Sequence, residues 1–334
     1  MVIQRTKQTL VINQTVLSRV LGFHLHHDRH NGLLTIDKNE YTKQLIIKYM
    51  DYIKHIPFRA VTMDEDVKLS RSQCPTSAED IKYMEQLPYR QILGALNYLT
   101  CTIRIDISFP VNYLSRFMDN PGIPHWDQLL NTLAYVRDHP IASITYSDPS
   151  YRSYNFKGHT HRMKPNHFYC FVDADFASSD IDERHSTTGY IIIFNGGIIS
   201  WKSQKQKRVA GSSTEAEYIA LYEACKEWIW LLRILHELGF EHNEPIIVFE
   251  DNTSTIRASE NPVEHSKLKH LEINYHAIRE YIEEKLICAV HISTQNQLAD
   301  LLTKNHSPLR HQTLCHSIIT IVPINKAVAN TKLS

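Results

Sequence analysis

The stretch that most constrains this chain covers residues 209–239, VAGSSTEAEYIALYEACKEWIWLLRILHELG. Ser212, Ser213 and Thr214 can each accept a hydrogen bond from the free amides of a first helical turn. Glu215 and Glu217 follow, where carboxylates suit the positive end of a helix dipole. At the other end His236 falls in the last turn and Gly239 stops the helix. Between these limits Ala220, Leu221, Ala224, Trp228, Leu231 and Leu235 recur at helical spacing and form one apolar face. Glu217 lies three and four residues before Ala220 and Leu221, so it heads that buried face, whereas Glu215 precedes Ile219 and points further round. A carboxylate aimed at a core is costly unless it is paired or holds a metal. Neighbouring acids also serve simply to cap a helix, and this helix alone does not separate the two readings.

At 334 residues the chain is long enough for two ordinary domains, and its 43% apolar content supplies a core. Residues 1–147 read first as strands: TLVIN, then VLGFHLHHDRHNGLLTI turning over at Asn31 and Gly32. KNEYTKQLIIKYMDYI has helical spacing, and residues 57–77 form a connecting loop. LPYRQILGALNYLTCTIRIDISFPVNYLSRFMDNP is a helical pair whose second member is interrupted at Pro110. HWDQLLNTLAYVRDH is another helix, ending at Pro140, and ASITYS is a short strand. Residues 148–166, rich in Ser, Tyr, His, Lys and Arg, are expected to be a linker.

Past that boundary the rhythm changes. HFYCFVDADFAS is a strand ending in acids, and GYIIIFNGGIISW is two strands joined at Asn195, Gly196 and Gly197. A basic loop, KSQKQKR, leads into the helix described above. PIIVFEDN is a buried strand ending in acids, followed by helices in NTSTIRASENP and LEINYHAIREYIEEKL, the strand CAVHIST and a helix in NQLADLLTK. The order β-β-β-α-β-α-α-β-α describes an α+β mixed sheet with helices on its faces, over residues 167–308. Residues 309–334 contain one apolar stretch, SIITIVPI, and are expected to be a poorly ordered tail.

Lys and Arg total 36, as do Asp and Glu, so any contact with phosphates must come from local basic patches. The six cysteines form no CxxC pair, which points to a reducing compartment and no structural zinc. No apolar run approaches the ~18 residues of a membrane span. An intracellular soluble protein, cytoplasmic or nuclear and not secreted, is expected.

Four carboxylates in the second half each end or open a regular element: Asp173 in FVDADFA, Glu217, Asp251 in IIVFED and Asp300 in QLADLLTK. Acids brought by separate elements can converge at one edge of a sheet. Hard oxygen ligands suit Mg²⁺ or Mn²⁺ rather than zinc. Four acids around two ions ~3.5–4 Å apart is an arrangement that hydrolyses phosphodiesters, one ion activating water and the other stabilising the leaving oxygen. Any single strand-terminal acid is better explained by solvation, whereas four together in this order are harder to dismiss. Strand parity does not choose between Asp173 and Asp175, because residues two apart face the same way.

FVDADFASSDIDERHSTTGYIIIFNGGIISWKSQKQKRVAGSSTEAEYIALYEACKEWIWL, FEDNTS, KHLEINYHAIRE and NQLADLLTK together resemble the ribonuclease H domain of copia-type retrotransposon Pol polyproteins, over residues 167–304. The resemblance implies an RNase H-like five-stranded mixed sheet flanked by helices. It also implies an Asp-Glu-Asp-Asp set at Asp173, Glu217, Asp251 and Asp300, holding two Mg²⁺ or Mn²⁺ ions with Asp173 bridging them. The implied reaction is cleavage of the RNA strand of an RNA–DNA hybrid, leaving a 3′-hydroxyl and a 5′-phosphate. Leu268, Glu272, Asn305 and His306 depart from the family's usual residues without touching the four acids.

The first half is similar to the part of the same polyprotein that follows the polymerase active site. RVLGFHLHHDRHNGLLTIDKNEYTKQLI resembles the end of the reverse transcriptase palm and the start of the thumb, and PYRQILGALNYLTCTIRIDISFPVNYLSRFM resembles the connection, a mostly helical remnant. Ile105 stands where the family usually has Pro, and Pro110 where a small residue is usual. The YVDD signature of the polymerase site is not in the chain, so no polymerase activity is expected, and the polymerase half of Pol is the implied partner.

Substrate contacts are expected from Lys202, Lys205, Lys207 and Arg208 beside the sheet and from Lys267, Lys269 and His270 further on. Ser212, Ser213 and Asn252, next to the acids, can touch sugar hydroxyls, the groups that mark an RNA strand. A solvated charged loop explains any one of these basic residues equally well. The alternative for the whole chain is a non-catalytic nucleic-acid-binding fragment or a decaying retrotransposon relic.

Overall fold

The computed structural model describes residues 18–156, 159–178, 180–242, 244–260 and 272–324. The strand expected in TLVIN and the basic cluster Lys267, Lys269 and His270 lie outside the described residues. In chain order the strands are β1 (Arg19–Val20), β2 (Phe23–Asp28), β3 (Leu33–Asp37), β4 (Ile141–Tyr146), β5 (Ser153–Phe156) and β6 (His159–Arg162). They continue as β7 (Phe168–Asp175), β8 (Thr187–Phe194), β9 (Gly197–Lys205), β10 (Ile246–Glu250), β11 (Ile287–His291) and β12 (Thr320–Val322). The helices are α1 (Asn39–Lys48), α2 (Met50–Ile53), α3 (Ala78–Glu85), α4 (Tyr89–Thr100), α5 (Ser108–Ser115) and α6 (Ile123–Asp138). Then come α7 (Ser213–Glu237), α8 (Thr253–Glu260), α9 (Glu272–Glu283) and α10 (Pro308–His316).

In the first half Ile92, Leu96 and Leu99 of α4 pack with Phe109 and Tyr113 of α5 and with Leu129 and Leu133 of α6. Pro110 does not break α5: it is the third residue of the helix, in the turn whose amides have no intrahelical partner anyway. Beside these helices an antiparallel sheet runs in the order β1-β2-β3-β4-β12. Its last strand corrects the expectation of a poorly ordered tail for residues 309–324; residues 325–334 lie outside the described residues. SIITIVPI supplies β12, which pairs with β4, and Leu314, Cys315, Ile318, Ile319 and Ile321 are buried. The pairing partner lies far upstream, so nothing local announced it. Residues 148–166 are likewise not a bare linker: β5 and β6 pair as a hairpin, and Tyr154 packs edge-on against Phe249.

The second sheet runs β11-β10-β7-β8-β9, with β7, β8 and β9 antiparallel and β10 and β11 parallel to β7. Strand β7 is central and apolar on both faces, as a doubly covered strand must be. Phe168, Cys170 and Val172 pack with Ala220, Leu221, Ala224 and Trp228 of α7. Tyr169 and Phe171 face the other way, toward Leu298, Leu301, Leu302 and the strands of the first half. The α7 boundaries follow the sequence: Ser212 accepts from the Glu215 amide at 3.1 Å, and Gly239 takes φ +79° just past the end. Asn195 and Gly196 both have positive φ, the turn that joins β8 to β9. The helix expected in NQLADLLTK is instead a short 3-10 helix, Leu298–Leu302.

The halves are pinned by polar contacts as well. Trp201 Nε1 donates to the Thr100 carbonyl at 2.8 Å, and Arg116 donates to Thr187 Oγ1 at 3.0 Å. Arg104 and Asp106, each 1% exposed, form a bidentate pair, and Arg104 also donates to the His139 carbonyl at 2.8 Å. Removing one member of a buried pair strands the other charge. Asp106→Ala is therefore expected to cost about 3–5 kcal/mol in chemical denaturation, and a loss below half of that would show that Arg104 finds another partner.

Candidate active site

Asp173 lies on β7 two residues beyond Phe171 and is 4% exposed. The Thr303 hydroxyl donates to one of its carboxylate oxygens. That contact depends on Gly189, which pairs with Asp173 across the sheet. A Cβ at Gly189 would stand 2.7 Å from Thr303 Cγ2 and 2.9 Å from the Ala299 carbonyl oxygen, so only glycine lets the 298–303 segment lie against the strand. The segment TTGYIIIF thus serves both the core and the site.

Glu217 enters from the start of α7, 6% exposed, and its Oε2 has no hydrogen-bond partner. Glu215 turns back instead, accepting from the Gly211 amide at 2.8 Å. The helical-face argument therefore separates the two glutamates as the sequence predicts. Asp251 follows the last residue of β10 and is half-exposed, with Thr294 Oγ1 donating to it at 2.8 Å. Strand ends and a helix start converge: ligand atoms of Asp173, Glu217 and Asp251 all lie within 4.8 Å of one another.

Asp300 is handled differently. It is 2% exposed and engaged at both oxygens, by Lys304 Nζ at 2.7 Å and by Arg310 at 2.8 Å. It does not join the compact trio. A fifth carboxylate, Glu250, was missed by sequence reasoning. It is 1% exposed, accepts from the Asn252 amide at 3.0 Å, and leaves Oε2 without a partner. The signal was present in FED, where strand parity puts Glu250 on the α7 side with Ile246 and Val248.

Crowded acids out of water resist ionising together. Burial pushes Asp173 up to about 7; Lys304 opposes the rise, while Asp300 and Asp251 add to it. Glu217 is raised well above the ordinary carboxylate range by burial, and then by repulsion from Glu250, Asp173 and Asp251. Glu250 is raised in the same direction, again chiefly by burial. Buried oxygens without partners, in a set with no sulfur or imidazole ligand, fit a hard divalent cation.

The expected substrate contacts separate into groups. Lys207 and Arg208 are exposed, and Lys202 is half-buried on β9. Lys205 does not present the free ammonium expected of it, because Asp180 at 2.9 Å and Glu183 at 2.6 Å hold it. Ser212 and Asn252 are helix caps, Asn252 accepting from the Ser254 amide at 2.9 Å, and Ser213 is exposed as the first residue of α7.

A mixed sheet of this order, with acids from β7, β10 and α7 meeting at one edge, is an RNase H-like fold. The chain as a whole belongs to the Pol polyproteins of copia-type retrotransposons. It is 36% identical over 288 residues to the retrovirus-related Pol polyprotein from transposon TNT 1-94 of Nicotiana tabacum, a match that covers 86% of this chain and 20% of that protein. It is 38% identical over 243 residues to that from transposon RE1 of Arabidopsis thaliana, covering 72% of this chain and 16% of that protein. It therefore spans a fifth or less of the length of these relatives. No protein-family model matches the chain. An RNase H1 crystallised in complex with an RNA/DNA hybrid aligns with a TM-score of 0.32 and 17% identity, over 41% of this chain and 93% of that one.

The raised carboxylates carry a stability consequence with a definite sign. The folded chain without metal keeps a proton on Asp173 at a pH where the unfolded chain has released it, so that stability is lost as pH rises toward 7. Buried histidines such as His311, lowered to about 4, run the opposite way below neutral pH. The clean measurement is thus a difference: in EDTA, the melting temperature of Asp173→Asn minus that of wild type should grow by a few degrees between about pH 5 and about pH 8. A difference that stays constant would mean that Asp173 is ionised throughout.

Proposed function

We propose that the RNase H-type domain hydrolyses the RNA strand of RNA–DNA hybrids, with Mg²⁺ or Mn²⁺ held by Asp173, Glu217 and Asp251. The observation that carries this reading is the trio itself: three carboxylates from three elements, ligand atoms within 4.8 Å, with Glu217 Oε2 unpartnered. When bound, divalent ions in such a site lower the pKa of water and neutralise charge on the scissile phosphate. The chain's own residues prepare the ground. Thr303 fixes one Asp173 oxygen and Thr294 fixes one Asp251 oxygen, so the ligands are pre-oriented. Ser212 caps α7 and leaves the positive end of its dipole beside the site, which favours a phosphate there. Lys207 and Arg208, exposed near that helix start, meet the backbone of the hybrid. A two-ion arrangement needs Asp300 to leave Lys304 and Arg310.

That engagement of Asp300 also favours a second reading, a nucleic-acid-binding fragment that does not cleave. In the native polyprotein the polymerase portion would hold the hybrid and supply what this fragment lacks. No helix among the described residues is long and apolar enough to cross a membrane.

Asp251→Asn keeps size and hydrogen bonding while removing a charge from the site. With a labelled hybrid and Mg²⁺ or Mn²⁺, its cleavage should fall to background while hybrid binding persists. Equal cleavage by wild type and variant would trace the activity to a contaminant, and wild type that binds but never cleaves would establish the second reading. Binding itself is tested at the basic lip. Lys207→Ala with Arg208→Ala should weaken affinity uniformly across hybrid sequences and reduce the slope of log K against log salt by about 0.7–0.9 per lost contact. Lys205→Ala should change that slope little, because its charge is already spent on Asp180 and Glu183.

A further inference from the structure

Both oxygens of the fourth acid of the expected set are ion-paired, although Oδ1 accepts no hydrogen bond. Lys304 Nζ lies 2.7 Å from Asp300 Oδ1, and Arg310 lies 2.8 Å from Oδ2. Lys304 reaches beyond Asp300: among charged neighbours it has the strongest influence on Asp173, and it acts on Glu217 too. Arg310 is fixed from several sides, donating to the Thr294 carbonyl at 2.8 Å and to the Gln295 carbonyl as well. It stands on α10, which Leu314 and Cys315 anchor in the core and which leads into β12 on the first-half sheet. The cation facing Asp300 is therefore delivered by the C-terminal segment, locked to a strand of the other half. A divalent ion on Asp300 would have to displace an ion pair at Oδ1 and a charge-assisted hydrogen bond at Oδ2, and sit against both displaced cations.

We propose that this site takes a single divalent ion, on Asp173, Glu217 and Asp251, and that Lys304 and Arg310 supply from within the chain the positive charge a second ion would bring. The inference rests on the reading of the trio as a cation site, and departs from the two-ion arrangement implied by the family. Asp300 is then a positioning residue, which holds Lys304 near Asp173. The site has one exchangeable cation and two built-in ones, and its response to metal concentration is that of one binding event.

Calorimetric titration of the full chain with Mn²⁺, paralleled by electron paramagnetic resonance of the free ion, counts the sites directly. Wild type should bind one Mn²⁺ per chain, and Lys304→Gln with Arg310→Gln should bind two, because Asp300 is released. Lys304→Arg, which preserves the charge, should still bind one. Lys304→Gln alone, at a side chain 38% exposed, repeats the test with less risk to folding and should add a second, weaker site. Two ions on wild type would overturn the proposal, and so would one ion on a folded, cooperatively melting double variant. No binding by wild type, or undiminished binding by Asp251→Asn, would sink the cation reading of the trio itself, and this inference with it.

Discussion

The cost of burying carboxylates governs the second half of this chain. Asp173, Glu217, Glu250 and Asp300 are each at most 6% exposed, at one edge of a single sheet. No helix or strand gains by that placement, since a buried unpaired charge is among the least favourable things a fold can contain. The architecture accommodates it in three ways. Threonines satisfy individual oxygens at Asp173 and Asp251. Lys304 and Arg310 neutralise Asp300. What remains, on Glu217, Glu250 and Asp300 Oδ1, is left without a hydrogen-bond partner. Such residual instability is what a bound cation relieves, and folds retain it at sites that do something.

Local pattern carried the parts of this arrangement that depend on neighbours in sequence. The caps and apolar face of α7 are its own, so its limits and the choice of Glu217 over Glu215 were both legible. The double burial of β7 was legible in FYCFV, and the β8–β9 turn in Asn195 and Gly196. Asp173 and Asp175 occupy the same face, so only the family pattern selected between them. What escaped depends on contacts distant in sequence. Glu250 reads as one of two adjacent acids until α7 is laid over it. Lys205 reads as a free base until Asp180 and Glu183 close on it. Arg310 lay in a stretch set aside as tail, and its role exists only because β12 finds β4.

The same long-range pairing changes how the two halves relate. Ile103, Ile105, Ala142 and Ile144 from the first half share a core with Tyr169, Phe171 and Phe249 from the second, and Leu314, Ile318 and Ile321 close it. The face of the RNase H-type sheet opposite α7 is thus covered by the first half together with the C-terminal segment. The 298–303 segment, which carries Asp300 and presents Thr303 to Asp173, is sandwiched between that shared core and Gly189. Removing the first half would uncover the apolar face on which this segment rests, so the first half supports the geometry of the acids even where it contributes no side chain to them.

Charge distribution sets a last constraint. With 36 basic and 36 acidic residues the chain has no net field to draw in a polyanion. One cation that sequence assigned to phosphate binding, Lys205, is consumed by acids of its own neighbourhood. Lys304 and Arg310 are consumed by Asp300, and the exposed lip of Lys207 and Arg208 is small. Affinity for a nucleic acid scales with the number of phosphates neutralised, so the described part of this chain alone offers a weak grip. The acids are therefore built more strongly than the means of holding a substrate over them. That imbalance is physically reasonable for a segment that spans a fifth or less of its relatives' length.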